Sequence, residues 1–209
     1  MLRSASAWHA AQLPMHHLLI TIGSHGDTHP FIGIGQRLRE RGHEVTLAAN
    51  EAFGPIARAA GLNFAELGTR EEYHAALGNP DLWHPRRGFR AVFEMGVLPL
   101  MRRAYDLIRD VYVPGEMIVT AHAIAFGARL AQEVLGVPLA TIHLAPAVFR
   151  GAKDPPRFDG AGFIRHLPAP MVRGFFRMVD WALVDPVLTK PVNAFRAELG
   201  LPPVKRIIN

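Results

Sequence analysis

The feature that most constrains this chain lies near its start. Within residues 16–50 an apolar run, a glycine-bearing loop, an amphipathic helix pattern and a second apolar run follow in order. HHLLITIG (16–23) is short, apolar and closed by glycine, which predicts a buried strand. SHGDTHP reads as the loop, with Pro30 suited to the first helical position because its missing N–H would be unpaired there anyway. FIGIGQRLRERGH places Phe31, Ile34 and Leu38 on one helical face and charges on the other, and Gly42 stops the helix. EVTLAAN (44–50) is the second strand. Two strands joined through a helix pair in parallel, with a right-handed crossover.

The alternation continues. EAFGPIARAA (51–60) predicts a short helix ended by Gly61, and NFAEL (63–67) a third strand. Residues 68–85 read as a long loop. From 87 to 111, apolar residues recur in steps of three and four, which predicts one long helix bent near Gly96 and Pro99. Pro114-Gly115 is a turn, MIVTAH (117–122) a strand, AIAFGARLAQEVLG a helix stopped at Gly136, and PLATIHLAP (138–146) a strand. Residues 150–168 form a Pro/Gly-rich loop before helical stretches near 169–184 and 187–199. This order predicts an α/β fold, a Rossmann-like doubly wound parallel sheet flanked by helices. Ligands of such sheets sit at the carboxyl ends of the strands, so function is to be sought in the loops after Ile22, Asn50, Thr120 and Leu144.

Composition narrows the classes. A length of 209 residues suits one large domain. No run approaches the roughly 18 apolar residues that span a bilayer. MLRSASAWHAAQLP (1–14) is too short and too weakly apolar for a secretory signal and is expected to be a disordered leader. With no Cys, disulfides, thiolate chemistry and Cys-based zinc sites are excluded, which fits the cytoplasm. The net charge of +5 comes from scattered Arg without a basic run or interleaved aromatics, so no nucleic-acid partner is expected. Peripheral contact with anionic lipid stays open.

The chemistry concentrates in Gly23-Ser24-His25-Gly26-Asp27-Thr28-His29-Pro30-Phe31. It lacks the spaced glycines of a dinucleotide loop, and Asn50 closes the second strand where a dinucleotide site has an acid. Asp27 lies close to the start of the first helix, whose dipole favours a negative charge. There it either takes a proton from a bound hydroxyl as that hydroxyl attacks, or simply caps the helix; spacing alone does not choose. His25 and His29 flank it at metal-like spacing, but no second ligand cluster is visible, and no metal is expected.

These residues resemble a known family. The pattern G-[ST]-x-G-D-x-x-P-[FL] at Gly23–Phe31 is similar to the start of GT-B glycosyltransferases of families 1 and 28, and most similar to the sterol- and antibiotic-glycosyltransferase branch. R-L-x-x-R-G-H-E-V-T-L-A (37–48), I-V-T-A-H-A-I-A-F-G-A-R-L-A-x-E-x-L-G-V-P (118–138) and N-A-F-R-A-E-L-G-L-P-P-V (193–204) agree in order and spacing. The resemblance implies that residues 15–209 are the N-terminal, acceptor-binding domain, ending at the interdomain linker. It implies inverting transfer of a sugar from a nucleotide sugar, of UDP-glucose type, to a hydroxyl of a hydrophobic small-molecule or lipid acceptor, with no cofactor or essential metal. It makes Asp27 the general base, with His25 and His29 orienting the acceptor or replacing Asp27. A free carboxylate, with a pKa near ~4, cannot strip an alcohol beforehand, so proton transfer must accompany attack. His122, Phe126 and His143 match positions near the acceptor cleft, and Phe93 and Met101 are candidates for its apolar lining; core packing or ordinary strand-end polarity is the competing reading for each.

The family's donor-binding half has no counterpart here. The chain is therefore expected to be inactive alone: a truncated enzyme, one subunit of a split enzyme with the donor half on another polypeptide, or a non-catalytic lipid, sterol or polyketide binding protein derived from this domain. Phe175, Phe176, Met178, Trp181, Leu183 and Val184 are expected to expose part of an interdomain face and to drive self-association.

Overall fold

The computed structural model describes residues 14–85, 87–145, 151–156 and 162–207. The expected leader lies outside them except for Pro14. Five parallel strands form one sheet: β1 (His16–Ile20), β2 (Glu44–Asn50), β3 (Asn63–Gly68), β4 (Met117–His122) and β5 (Leu139–Ile142). Their order is β3-β2-β1-β4-β5, so β1 is central and the chain reverses direction across it, between β1 and β4. Register aligns Ile20 with Ala48 of β2 and with Ala121 of β4. The carboxyl ends of β1 and β4 therefore stand side by side.

Alternation along β1 divides the core. Leu18 and Ile20 face one layer with Val97, Ile108, Phe126 and Leu188; Leu19 faces the other with Phe31, Leu47, Phe53 and Leu62. Each such fully buried side chain contributes roughly 1.5–3 kcal/mol relative to exposure. The second layer holds α1 (His25–Glu40) and α2 (Gly54–Ala59), the latter entered through a 3-10 turn at Glu51–Phe53. The first holds α5 (Leu98–Val111), α6 (Phe126–Leu135) and α8 (Asp185–Glu198), with α3 (Arg70–Leu77), α4 (Gly88–Ala91) and α7 (Ala169–Val179) completing the described helices. Helices α5 and α6 touch so closely that a side chain at Gly127 would strike the Met101 carbonyl.

Several expectations need correction. Helix α1 begins at His25, not Pro30; Pro30 lies inside it. Ser24 and Asp27 make a capping box that starts the helix early, as described below. Its inward face is Phe31, Ile32 and Gly35 rather than Phe31, Ile34 and Leu38; Ile34 and Leu38 are half-buried. Residues 68–85 are not a long loop. Thr69 and Glu72 form a second capping box that starts α3, and Pro80–Trp83 is a 3-10 turn. The long helix predicted over 87–111 is broken as expected near Gly96: a π-helical stretch, Val92–Val97, joins α4 to α5. A second π stretch, Asp180–Val184, joins α7 to α8.

The end of α8 is pinned by buried polar groups. Arg196, its side chain 5% exposed, donates to Glu133 Oε1 (2.8 Å) and to the Pro202 carbonyl (2.8 Å). Asn193 exchanges two bonds with the Val204 backbone. Paired in this way, a buried guanidinium is tolerated, and it ties the tail to α6.

Of the six residues expected at an interdomain face, Phe176 and Val184 are buried, while Met178, Trp181 and Leu183 are exposed, Trp181 at 74%. No helix among the described residues is long and apolar enough to cross a membrane.

Candidate functional site

Beyond β1, Thr21 and Ile22 stay buried and the chain turns at Gly23, whose φ of +131° is open to glycine but strained for any other residue. A Cβ there would also collide with Asp27 Oδ2. That oxygen accepts from the Ser24 N–H at 2.7 Å and from the Ser24 hydroxyl at 3.1 Å. Asp27 therefore does cap α1. The cap uses one carboxylate oxygen only. The other, Oδ1, faces His122 Nε2 at 4.0 Å.

His122 ends β4. Its side chain is 11% exposed, and that of Asp27 is 32% exposed. The edge of Phe31, from the core face of α1, meets the imidazole with ring centroids 6.4 Å apart. Its Nδ1 is buried and has no hydrogen-bond partner. Burial holds the imidazole pKa below the usual histidine value; the Asp27 charge pulls it up and His143 pushes it further down. His143, exposed just past β5, thus belongs to the same neighbourhood. The fold brings together Asp27 from the first turn of α1, His122 from the end of β4 and His143 from just past β5.

On the other side of Asp27 stands a row of rings. His25 and His29, one helical turn apart on α1, are stacked at 5.4 Å, with Nδ1 and Nε2 3.2 Å apart. His25 meets the edge of Phe53 (5.0 Å), and Phe53 meets Tyr73 (5.3 Å). Burial raises the Tyr73 pKa and the charge of Asp27 raises it further, which puts this phenol within electrostatic reach of the carboxylate. Sequence reasoning missed Tyr73, because it fell in the stretch read as a loop; the Thr69-x-x-Glu72 box was the signal for the helix that carries it.

Phe93 and Phe126 are buried to 8% and 4% exposure and lie 6.4 Å apart, Phe93 also packing on Phe89 at 4.6 Å. Met101 is buried in the same cluster. The structure thus places all three in the core layer beneath α5 and α6. Among the described residues no group of three or more His, Asp or Glu is arranged to hold a metal.

The arrangement offers a carboxylate oxygen free of its cap, a buried imidazole beside it and an aromatic wall, all at the carboxyl edge of the sheet where the strand order reverses. This edge of an open α/β sheet is where ligands bind.

The glycosyltransferase family 28 N-terminal domain matches residues 17–149. An uncharacterised glycosyltransferase of Mycobacterium leprae is 28% identical over 193 residues, covering 90% of this chain and 42% of the relative. A sterol 3-beta-glucosyltransferase of Arabidopsis thaliana is 30% identical over 138 residues, 61% of this chain and 22% of the relative. The chain thus spans less than half the length of these relatives. The crystal structure of SsfS6, a glycosyltransferase of Streptomyces sp. SF2575, superposes with a TM-score of 0.52 at 22% identity, covering 90% of this chain and 47% of that one. The fold is accordingly the N-terminal half of a GT-B fold, and the chain belongs to the glycosyltransferase family 28 N-terminal domain.

Proposed function

We propose that this chain is the acceptor-binding half of an inverting glycosyltransferase, moving a sugar from a nucleotide sugar to a hydroxyl of a hydrophobic acceptor without a metal, with Asp27 as general base. The observation that carries this reading is the division of labour within one carboxylate: Oδ2 is fixed by Ser24 while Oδ1 stays uncapped beside His122. Fixing one oxygen sets the direction of the other, which a base needs to meet a hydroxyl proton. His25 and Tyr73, both packed on the buried Phe53 ring, supply ring edges as a flank for an apolar acceptor body. The nucleotide sugar is bound by a donor domain on this or another polypeptide. Exposed Met178, Trp181 and Leu183 offer an apolar contact for that domain or for a second copy.

The test is calorimetric titration of the chain with UDP, UDP-glucose and a panel of hydrophobic hydroxylated compounds. Binding of a hydroxylated compound, without nucleotide, supports the acceptor half. Binding of the nucleotide sugar alone overturns the assignment. Acceptor binding by the unaltered chain, with no transfer when a donor domain is supplied, favours a non-catalytic binding protein instead. Light scattering at high concentration checks self-association: a monodisperse monomer removes it.

A further inference from the structure

We propose that His122 Nε2 and Asp27 Oδ1 form a two-point seat for a single hydroxyl oxygen, His122 donating and Asp27 accepting, so that the site takes oxygen acceptors in preference to nitrogen ones. The inference rests on the acceptor-site reading above and adds His122 as the donor that holds the acceptor hydroxyl and selects it over nitrogen.

The distance comes first. At 4.0 Å, Nε2 and Oδ1 are too far apart to bond directly. An oxygen about 2.8 Å from each closes the triangle with an angle of about 90° at the inserted atom, within the range of two hydrogen bonds to one hydroxyl. The gap therefore has the width of one bridging oxygen.

The proton on His122 comes next. A neutral imidazole carries one N–H. Placed on Nδ1, that proton would be a buried donor without a partner, and the Nε2 lone pair would face a carboxylate oxygen. Placed on Nε2, it points toward the carboxylate side, and the unpartnered atom is only a lone pair. The second arrangement removes the repulsion and the orphaned donor, leaving the smaller cost of an unpartnered acceptor. Burial of the ring favours its neutral form, and the charged groups facing it, Asp27 and His143, act in opposite directions. Asp27 Oδ2 is occupied by Ser24, which leaves Oδ1 as the acceptor.

A hydroxyl matches this pair. One lone pair accepts from His122 N–H, the proton points to Asp27 Oδ1, and the second lone pair is free to attack. In the transfer step the O–H bond breaks and its proton passes to Oδ1. The new oxygen–carbon bond forms at the anomeric carbon, and the bond to the nucleoside diphosphate breaks with its electron pair on the leaving phosphate oxygen. A neutral amine has one lone pair. Engaged by His122 it has none left for attack, and an ammonium would turn a proton against Nε2–H. Specificity follows from an unmatched donor in a desolvated site.

Two measurements test this on the chain as it is. Long-range proton–nitrogen NMR of uniformly labelled protein at pH 7 reads the His122 tautomer without any ligand; the expected form is neutral with the proton on Nε2. An Nδ1–H tautomer, or a protonated ring, overturns the seat. Calorimetry with 4-butylphenol and 4-butylaniline, two probes that differ in the acceptor atom, is expected to show at least tenfold tighter binding of the phenol. The preference should fall to within about twofold in His122→Phe and return in His122→Gln, whose amide keeps a donor near the Nε2 position. Equal binding of both probes by the unaltered chain, or a preference unchanged in His122→Phe, overturns it. Should neither probe bind, the acceptor reading fails while the NMR result still decides the seat.

Discussion

Helices α1 and α3 start with the same device and put it to different uses. Each has a hydroxyl residue before its first turn and an acid three positions on: Ser24 with Asp27, Thr69 with Glu72. In α3 the acid is saturated. Glu72 accepts from the Thr69 N–H at 2.9 Å and takes both nitrogens of the Arg103 fork at 2.7 Å each. Arg103 and the cap together hold its carboxyl down to about 2. In α1 the acid has its cap but no Lys or Arg partner among the described residues, and its second oxygen looks across a gap at a buried imidazole. The glycines before the two boxes differ in the same sense. Gly23 requires positive φ and yields its Cβ space to Asp27, whereas Gly68 has ordinary backbone and sits 3.1 Å, Cβ to oxygen, from Glu72. A capping box is thus a local motif whose function depends on what the rest of the chain brings to the spare oxygen.

The largest expected difference is between the two acids themselves. In an assembly that carries out transfer, Asp27→Ala should lower turnover by roughly 10²–10⁴-fold, the usual worth of a positioned general base. Its cost in stability should be only about 1 kcal/mol, the worth of a cap. Glu72→Ala should show a similar stability loss and no change in acceptor binding or turnover. Equal kinetic effects in the two variants would erase the distinction.

Next in size are the glycines. Gly23→Ala should cost about 2 kcal/mol in chemical denaturation, through strained φ and displacement of the carboxylate, and should abolish acceptor binding. Gly68→Ala should cost less than about 1 kcal/mol, because the Glu72 side chain needs to yield only slightly. A tolerant Gly23 would mean that the carboxylate seat is not held by the turn.

Acid sensitivity is third. His122 has its folded pKa below the ordinary histidine value of 6.5, as does His17, where burial leads and His43 and His16 add to it. Both are kept neutral by folding, whereas the unfolded chain gains protons below 6.5. Stability should therefore be fully present above that pH and fall as pH drops below it, by up to about 1.4 kcal/mol per pH unit for each group. Thermal melts between pH 7.5 and 5 should become shallower in pH in His17→Gln and in His122→Gln alike. Unchanged slopes would place the acid response elsewhere.

The smallest effect belongs to Glu72. Its depressed carboxyl contributes stability that is present above 4.5 and lost as pH falls toward about 2. The Glu72–Arg103 pair is close to half exposed, so that contribution should stay under about 1 kcal/mol. Comparing Arg103→Gln with the unaltered chain between pH 5 and 3 measures it.

Local chemistry made much of this legible from residues alone. The apolar runs of β1 and β2 and the stops at Gly42, Gly61 and Gly136, all with positive φ, gave the parallel frame. The irregularity near Gly96 was readable because Gly96 and Pro99 interrupt an otherwise regular period of three and four. Both capping boxes were equally local, yet Pro30 outweighed Ser24 in placing the start of α1, and the Gly-, Pro- and His-containing stretch at 68–85 concealed α3. A proline is a strong helix-start signal only where no better cap precedes it, and here one does. The pairing of Asp27 with His122 was not readable. It requires β4 to lie beside β1, a fact of strand order that no window of sequence contains. The same holds for Tyr73, which reaches the neighbourhood of Asp27 only because α3 folds back over Phe53.

Helix α1 rests on the core through Gly35, where a Cβ would come within 2.8 Å of Leu62 and 3.2 Å of Leu19 in β1. Asp27 rides on that helix, and His122 is fixed to a strand. The two atoms that face each other are thus mounted on separate bodies, like the jaws of a calliper, with Gly35 as the stop that sets how far they close. Bulk added at the stop, well away from either jaw, would widen the opening beyond one oxygen and leave both side chains intact. The width of the site is in this sense a property of the core.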